Sequence, residues 1–339
     1  MFYFSAYGIN FYSNLYIPGL QPFSNENSLS IPPITLLMGY LPSWFYNTYD
    51  NASHVSWYTS SDTEDGRPTL QVWDVNSGKY YYFRYGDGIE FVVDRLGTEI
   101  WANWPENLTL EDAATYLLGP ILGFIQRIRN IVCLHASAIA ISGRAVVLVG
   151  NPGSGKSTTA AAFAQQGYAI LSDDVVPLVD HDGIFLIQPA YPRIRLWDSS
   201  VFALFGSANA LPRLVPTHPT WNKRYLDLNQ WGYNFQQKPL PLAAIYYLNL
   251  RSDNPLCPYI EPMPVQEQLM TLIANTYTNY LLSKDLRAKE FELLGRLVEC
   301  IPVRQITPST NLEHLPQLIK IILQDFCEVL TQSSLAFHA

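Results

Sequence analysis

Residues 150–158 constrain this chain more than any other stretch. They read Gly150-Asn151-Pro152-Gly153-Ser154-Gly155-Lys156-Ser157-Thr158, a complete G-x-x-x-x-G-K-S phosphate-binding loop. The glycines let the backbone curl until several N–H groups point at one anion. Lys156 adds a point charge for the outer phosphates, and the Ser157 hydroxyl can ligate Mg²⁺. A helix after the loop directs its positive end at the same place. At average residue usage, a chance match of the fixed positions in a chain this long is a roughly one-in-a-hundred event. The flanks lower that chance. Ala145-Val146-Val147-Leu148-Val149 is a short apolar run of buried-strand type. Thr158 to Gln166 carries Ala-Ala-Ala-Phe-Ala, with no breaker before Gly167. Strand, glycine loop and helix is the order the motif requires, so the chain is expected to bind a nucleoside triphosphate with Mg²⁺.

Two acids follow, one helix downstream. Tyr168 to Pro177 reads as a strand ending in Asp173-Asp174. At strand ends in a parallel sheet these carboxylates would face the phosphates and the metal. One can hold Mg²⁺ and the other can take the proton of an incoming hydroxyl. Asp-Asp is also common at turns and caps for local hydrogen-bonding reasons. Upstream, Cys133 to Val149 reads as a hairpin. Ile139–Ile141 is one strand, Ser142-Gly143-Arg144 the turn and 145–149 the next strand, with His135 near the start.

His135, the hairpin, the glycine loop and Asp173-Asp174 together resemble the HPr kinase/phosphorylase family and its wider relatives. The resemblance covers residues 130–180. It extends more weakly to about 250, through Tyr191-Pro192-Arg193-Ile194-Arg195-Leu196-Trp197 and Asn222-Lys223-Arg224-Tyr225-Leu226. These look like segments of kinase-related members found in gene clusters for modified peptides. The resemblance implies an α/β kinase domain (α+β overall) of the phosphoenolpyruvate carboxykinase/HPr kinase-like type, with a mixed sheet around the loop. It implies that Lys156 and Ser157 hold phosphate and Mg²⁺ and that His135 is an active-site residue. Asp173 would be the base toward the acceptor, and Asp174 would support the metal. Lys223 or Arg224 could neutralise the γ-phosphate during transfer. Arg193 and Arg195 share one face of their strand, and Arg251 follows a strand over Ala243–Asn249; these are further cations that could reach the site. The glycine-rich segment that HPr-specific enzymes carry after the acids has no convincing copy here, and the first hundred residues do not look like theirs. HPr itself is therefore a poor acceptor, and the acceptor stays open.

Composition bounds the rest. At 339 residues, 48% hydrophobic and 15% charged, the chain is long enough for two domains and is not of disordered type. A net charge of −8 gives no electrostatic footprint for nucleic acid and no attraction to an anionic membrane. Four cysteines, Cys133, Cys257, Cys300 and Cys327, lie apart without metal-ligand spacing, which suits a reducing cytosol. The start, Met1-Phe2-Tyr3-Phe4-Ser5, lacks the basic region of a secretory signal, so a cytoplasmic location is expected.

Residues 1–33 read as loop with short strands. Leu70–Val75, Lys79–Tyr85, Ile89–Asp94 and Thr98–Ala102, separated by glycine turns, read as a four-stranded meander. A helix from Thr109 to about Arg129 follows, opened by a capping-box-like Thr109-Leu110-Glu111-Asp112. The last third reads as helices over Val265–Leu282, Arg287–Cys300 and Leu315–Leu330, with a strand at Ile301–Ile306. The expected organisation is a β-rich domain with its linking helix over 1–125 and a kinase domain over 126–332. The expected activity is ATP-dependent phosphoryl transfer to a hydroxyl, with Ser of a peptide or protein as acceptor. A sugar or metabolite acceptor, or a nucleotide-binding regulatory module with little transfer, are the alternatives. The tyrosine-rich first domain is expected to recognise the acceptor. Self-association into a homo-oligomer is left open.

Overall fold

The computed structural model describes residues 1–23, 33–48, 56–218 and 221–336. It falls into two units. One is Met1–Arg129 with Val215–Pro219, the other Asn130–Leu214 with Thr220–Ala339. Both contain large sheets, so the class is mixed α/β. Part of the expected N-terminal loop, residues 24–32, lies outside the described residues.

In the first unit the strands are β1 (Phe2–Ala6), β2 (Ile9–Ser13), β3 (Ile34–Met38), β4 (Tyr58–Thr59), β5 (Thr63–Glu64), β6 (Arg67–Pro68), β7 (Leu70–Val75), β8 (Tyr80–Tyr85), β9 (Glu90–Asp94) and β10 (Glu99–Asn103). The helices are α1 (Ser43–Thr48), α2 (Leu110–Tyr116) and α3 (Leu122–Ile128). Eight strands form one sheet in the order β1-β2-β3-β10-β9-β8-β7-β4, so the meander from β7 to β10 is contiguous. One face of the meander buries Val72, Phe83, Phe91 and Val93, while the alternate positions Trp73, Tyr82, Val92 and Trp101 pack on the other face with Leu41 and Phe45. A wide turn over Leu117–Ile121 joins α2 to α3, and it contains Pro120, which has no N–H to give a regular helix. Asp112 accepts from the Thr109 backbone N–H at 2.7 Å and closes the start of α2.

The second unit contains β11 (Val132–Ile141), β12 (Arg144–Val149), β13 (Ala169–His181), β14 (Ile184–Ile187), β15 (Arg193–Trp197), β16 (Lys223–Asp227), β17 (Leu240–Leu248), β18 (Tyr259–Pro262) and β19 (Val303–Thr307). Its helices are α4 (Lys156–Gln165), α5 (Asp198–Phe205), α6 (Val265–Ala274), α7 (Lys284–Cys300) and α8 (Leu315–Ala336). Seven strands run in the order β12-β11-β13-β14-β17-β19-β18, and β12 also pairs with β17, so five of them close on themselves. Both sheet faces are covered. Val146, Leu148 and Tyr246 pack with α4 and α8, while Leu134, Ala136, Val147 and Ile245 pack with α6 and α7. That explains the near-continuous apolar runs of β11 and β12.

Two expectations are corrected. The acids do not end a parallel strand: β13 runs on to His181, antiparallel to β11, and places them in mid-strand. The expected helix over Val265–Leu282 stops at Ala274. Beyond it Thr276 bridges to Leu134, so pairing with β11 displaces the helix.

Candidate active site

β12 delivers the chain into the glycine loop and α4 carries it away. Two glycines there are obligatory. Gly155, at φ +106°, caps α4, and a Cβ on it would lie 2.7 Å from Nη2 of Arg251. A Cβ on Gly150 would lie 2.6 Å from the Leu248 carbonyl oxygen. Asn151, Pro152 and Gly153 form the exposed crown, where Ser154 N–H closes a turn onto Asn151 O at 3.0 Å. Lys156 folds back under the loop, its Nζ donating to Gly150 O at 2.6 Å and Asn151 O at 3.3 Å. Burial lowers its pKa, opposed by Asp173 and Asp174. Thr158 faces α5, where its hydroxyl shares a 2.7 Å hydrogen bond with Ser200.

The acid pair is built by an unusual backbone. Asp173 stands opposite Ser137 on β11 and accepts its hydroxyl at 2.6 Å. In a regular strand the next residue would point to the other face, with Ala136, into the core. Asp174 instead has φ +75°, a conformation that aspartate and asparagine tolerate better than most side chains. Its carboxylate turns to the side of His135, whose Nε2 is 3.6 Å away. Arg195 then serves both acids. Its backbone N–H donates to Asp173 at 2.9 Å, and its guanidinium donates to Asp174 at 3.1 Å. Tyr277 Oη also donates to Asp174, at 3.3 Å.

The two carboxyls are driven apart electrically. Burial pushes Asp173 above the usual carboxylate range despite hydrogen bonds from Ser137 and the Arg195 amide and the nearby Ser157 hydroxyl. Burial acts on Asp174 in the same direction, but Arg195, His135, Lys223 and Tyr277 outweigh it and hold Asp174 below that range. Burial lowers His135, so its ring is neutral near pH 7.

The structure thus gathers His135, Lys156, Ser157, Asp173, Asp174 and Lys223, all six expected from the sequence. It does not bring Arg224 there. Lys223 and Arg224 are consecutive in β16 and so point to opposite sides. Lys223 sits near Asp174 and Asp173, its ammonium 5.5 Å from the Trp197 ring centre. Arg224 turns away to Leu211 O at 3.0 Å and Asn209 Oδ1 at 2.6 Å. Arg195, another of the cations expected from the sequence, reaches the acids instead. Arg193 is held at Asp227, 3.6 Å away.

No family model matches the chain. A curated relative does: HPr kinase/phosphorylase from Lactobacillus delbrueckii subsp. bulgaricus is 33% identical over 88 residues, 26% of this chain. Over those residues the chain is similar to that relative. The match spans 28% of that relative's length. A solved structure, the Hpr(Ser) kinase/phosphatase from Coxiella burnetii, aligns with 61% of this chain and 96% of its own at 16% identity and a TM-score of 0.35, a likeness too slight to build on.

Two contributors to the site were not legible in the sequence. Tyr277 and Asn275 lay inside an apparent helical run, and nothing local marked its end. Asn275 Oδ1 accepts from Gly150 N–H at 3.1 Å. Arg251 follows β17 and half-buries its guanidinium over Gly155, with no ion pair or hydrogen bond to it among the described residues. Its place follows from β17 running parallel to β12, which brings both strand ends to one edge.

Proposed function

We propose that this chain is an ATP-dependent phosphotransferase acting on a hydroxyl, with Ser of a peptide or protein as the acceptor. The observation that carries this reading is the left-handed Asp174. It sets two adjacent carboxylates on one side of a strand, beside the glycine loop and two lysines. A protein acceptor is supported by the name of the curated relative, HPr kinase/phosphorylase, whose match covers a quarter of this chain.

Mg²⁺ suits the oxygen donors present. The Ser157 hydroxyl lies near enough to Asp173 to help lower its pKa, and hydroxyl plus carboxylate is a hard-ligand pair. Among the described residues, no group of three or more His, Cys, Asp or Glu offers another site. When bound, the ion supplies charge neutralisation on the phosphates. We propose the opposite division of roles from the one that the resemblance implies. Asp173 is buried, accepts from Ser137 and the Arg195 amide and has Ser157 nearby, which supports a metal-holding role with Ser157. Asp174 is only partly buried and lies with His135 and Lys223, which supports a role in taking the acceptor's proton. Arg195 keeps Asp174 ionised. Lys156 and Lys223 stabilise charge on the moving phosphoryl group.

Incubating the protein with γ-labelled ATP and a panel of Ser-containing peptides, proteins and sugars tests this. Label on a peptide or protein is expected, and label on sugars alone would move the acceptor class. Tight nucleotide binding with no labelled acceptor would make the chain a regulatory module instead.

The register of β16 gives a sharper check. Lys223→Met should lower transfer about 10²-fold or more, the scale for losing one charge stabiliser. Arg224→Met should leave transfer within about twofold, since that side chain faces Asn209 and Leu211. Equal losses in the two variants would refute the assignment.

Asp173→Asn separates metal binding from folding. An amide fits: its oxygen can accept from the Arg195 N–H, and its NH₂ can donate to Ser137 once that hydroxyl turns. A raised carboxyl favours the fold below its ordinary pKa, and that contribution is lost as pH rises through the raised value. At neutral pH the ionised Asp173 is therefore a cost that Asn removes. Thermal melts should show a gain of about 2–4 °C at pH 7–8, the size of ~1 kcal/mol, and none near pH 4. The Mg²⁺ concentration needed for half-maximal transfer should rise at least about tenfold.

A further inference from the structure

The segment after α6 touches both halves of the site, and neither the glycine-loop motif nor the acid pair accounts for it. Asn275 Oδ1 accepts from the first amide of the loop, Gly150 N–H. The Asn275 carbonyl accepts from His135 N–H at 2.8 Å. Tyr277 N–H donates to Cys133 O at 2.7 Å, which makes the segment a short extra strand against the start of β11. The Tyr277 ring stands edge-on to His135, centroids 5.7 Å apart, and its hydroxyl reaches Asp174. Asn275 is itself tied to the end of α6, through Nδ2 to Thr271 O at 2.8 Å.

The turn that follows is strained. Thr278 adopts φ +51°, a left-handed conformation that is a true outlier for a β-branched side chain. Thr278 is 5% exposed and its hydroxyl has no partner among the described residues. Such strain persists only where the surroundings over-determine the backbone, and it gathers at working sites. The surroundings here are the bonds of Asn275 and Tyr277.

We propose that residues 275–278 form a strut that couples the nucleotide loop to the acid pair. Asn275 reads the loop through Gly150, and Tyr277 is the positioning residue that passes the loop's state to His135 and Asp174. The inference rests on nucleotide binding by the glycine loop as read above. Besides the strut, the loop reaches β13 through the sheet and through Ser157 and Lys156, which lie near the acids. With it, one two-residue step joins the amide that opens the loop to the carboxylate that faces the acceptor.

Hydrogen exchange on the full chain, with and without saturating MgADP, reads this without any turnover. In the wild type, MgADP should slow exchange across 150–157 and also, at least fivefold, across 275–278 and 133–135. In Asn275→Ala the loop should remain protected while the slowing at 275–278 and 133–135 disappears. The MgADP dissociation constant should rise about tenfold, which is ~1.4 kcal/mol. Tyr277→Phe removes one oxygen and keeps the ring against His135. It should hold the nucleotide dissociation constant within about twofold and lower kcat about tenfold at unchanged nucleotide KM, a split that a merely structural role would not give.

Protection of 150–157 with no change at 275–278 in the wild type would overturn the strut and leave the functional reading standing. So would an unaltered dissociation constant in Asn275→Ala, or kcat within twofold of wild type in Tyr277→Phe. Strut protection in a wild type that phosphorylates no acceptor would support the strut and count against the kinase. Absence of nucleotide binding would remove both.

Discussion

Asp174→Asn should cut phosphoryl transfer by about 10²–10⁴-fold, the usual worth of a general base, while nucleotide still binds. Asparagine is the apt replacement, because it tolerates the left-handed backbone that residue 174 adopts at φ +75°. Its amide oxygen can still accept from Arg195 and Tyr277, as the carboxylate does. What it cannot do is take a proton. The buried Arg195 loses its counter-charge, so some stability goes as well, about 1–3 kcal/mol with a neutral acceptor left in place. A lowered carboxyl stabilises the fold above its ordinary pKa, and that contribution is lost as pH falls through the lowered value. The stability deficit of Asp174→Asn should therefore be full at pH 7 and shrink only in strong acid. Transfer assays, nucleotide titration and melts between pH 3 and 8 check all three. Wild-type transfer in this variant would return the base to Asp173 or remove it from both.

Lys156→Met should lower transfer about 10²–10³-fold and weaken nucleotide binding as well. The methionine side chain matches the lysine stem and fits the same channel under the loop. The lost contacts are the donations to Gly150 O and Asn151 O. Leaving those carbonyls short of a donor costs about 1–3 kcal/mol. Removing a buried ammonium whose pKa burial already lowers offsets part of that. The melting temperature should accordingly move by only a few degrees, while nucleotide titration and labelled transfer both fall sharply. If the folded variant transfers phosphate at the wild-type rate, the loop is not the nucleotide site.

Much of this molecule was legible as local pattern. The glycine loop, the strand before it and the helix after it are set by positive-φ glycines and short apolar runs, which act within a few residues of themselves. The meander from β7 to β10 is of the same kind, since each glycine turn sits between alternating runs. His135, Lys156, Ser157 and the two acids could be picked out because their order along the chain is itself the signal. What the tertiary structure alone decided is direction. Lys223 and Arg224 are neighbours in sequence, yet the pairing of β16 with β15 sends one to the acids and the other to Asn209. Register sets that choice, and a slip of one residue would exchange them. Asp174 shares a face with Asp173 only because its backbone turns left-handed against β11, which no count of apolar residues reveals. Asn275 and Tyr277 continue a helical run in sequence, but more than a hundred residues upstream the start of β11 offers them backbone partners. Short-range torsional preference wrote the first group of features. The second group came from pairings across the sheet, whose free energy is realised only once distant segments meet.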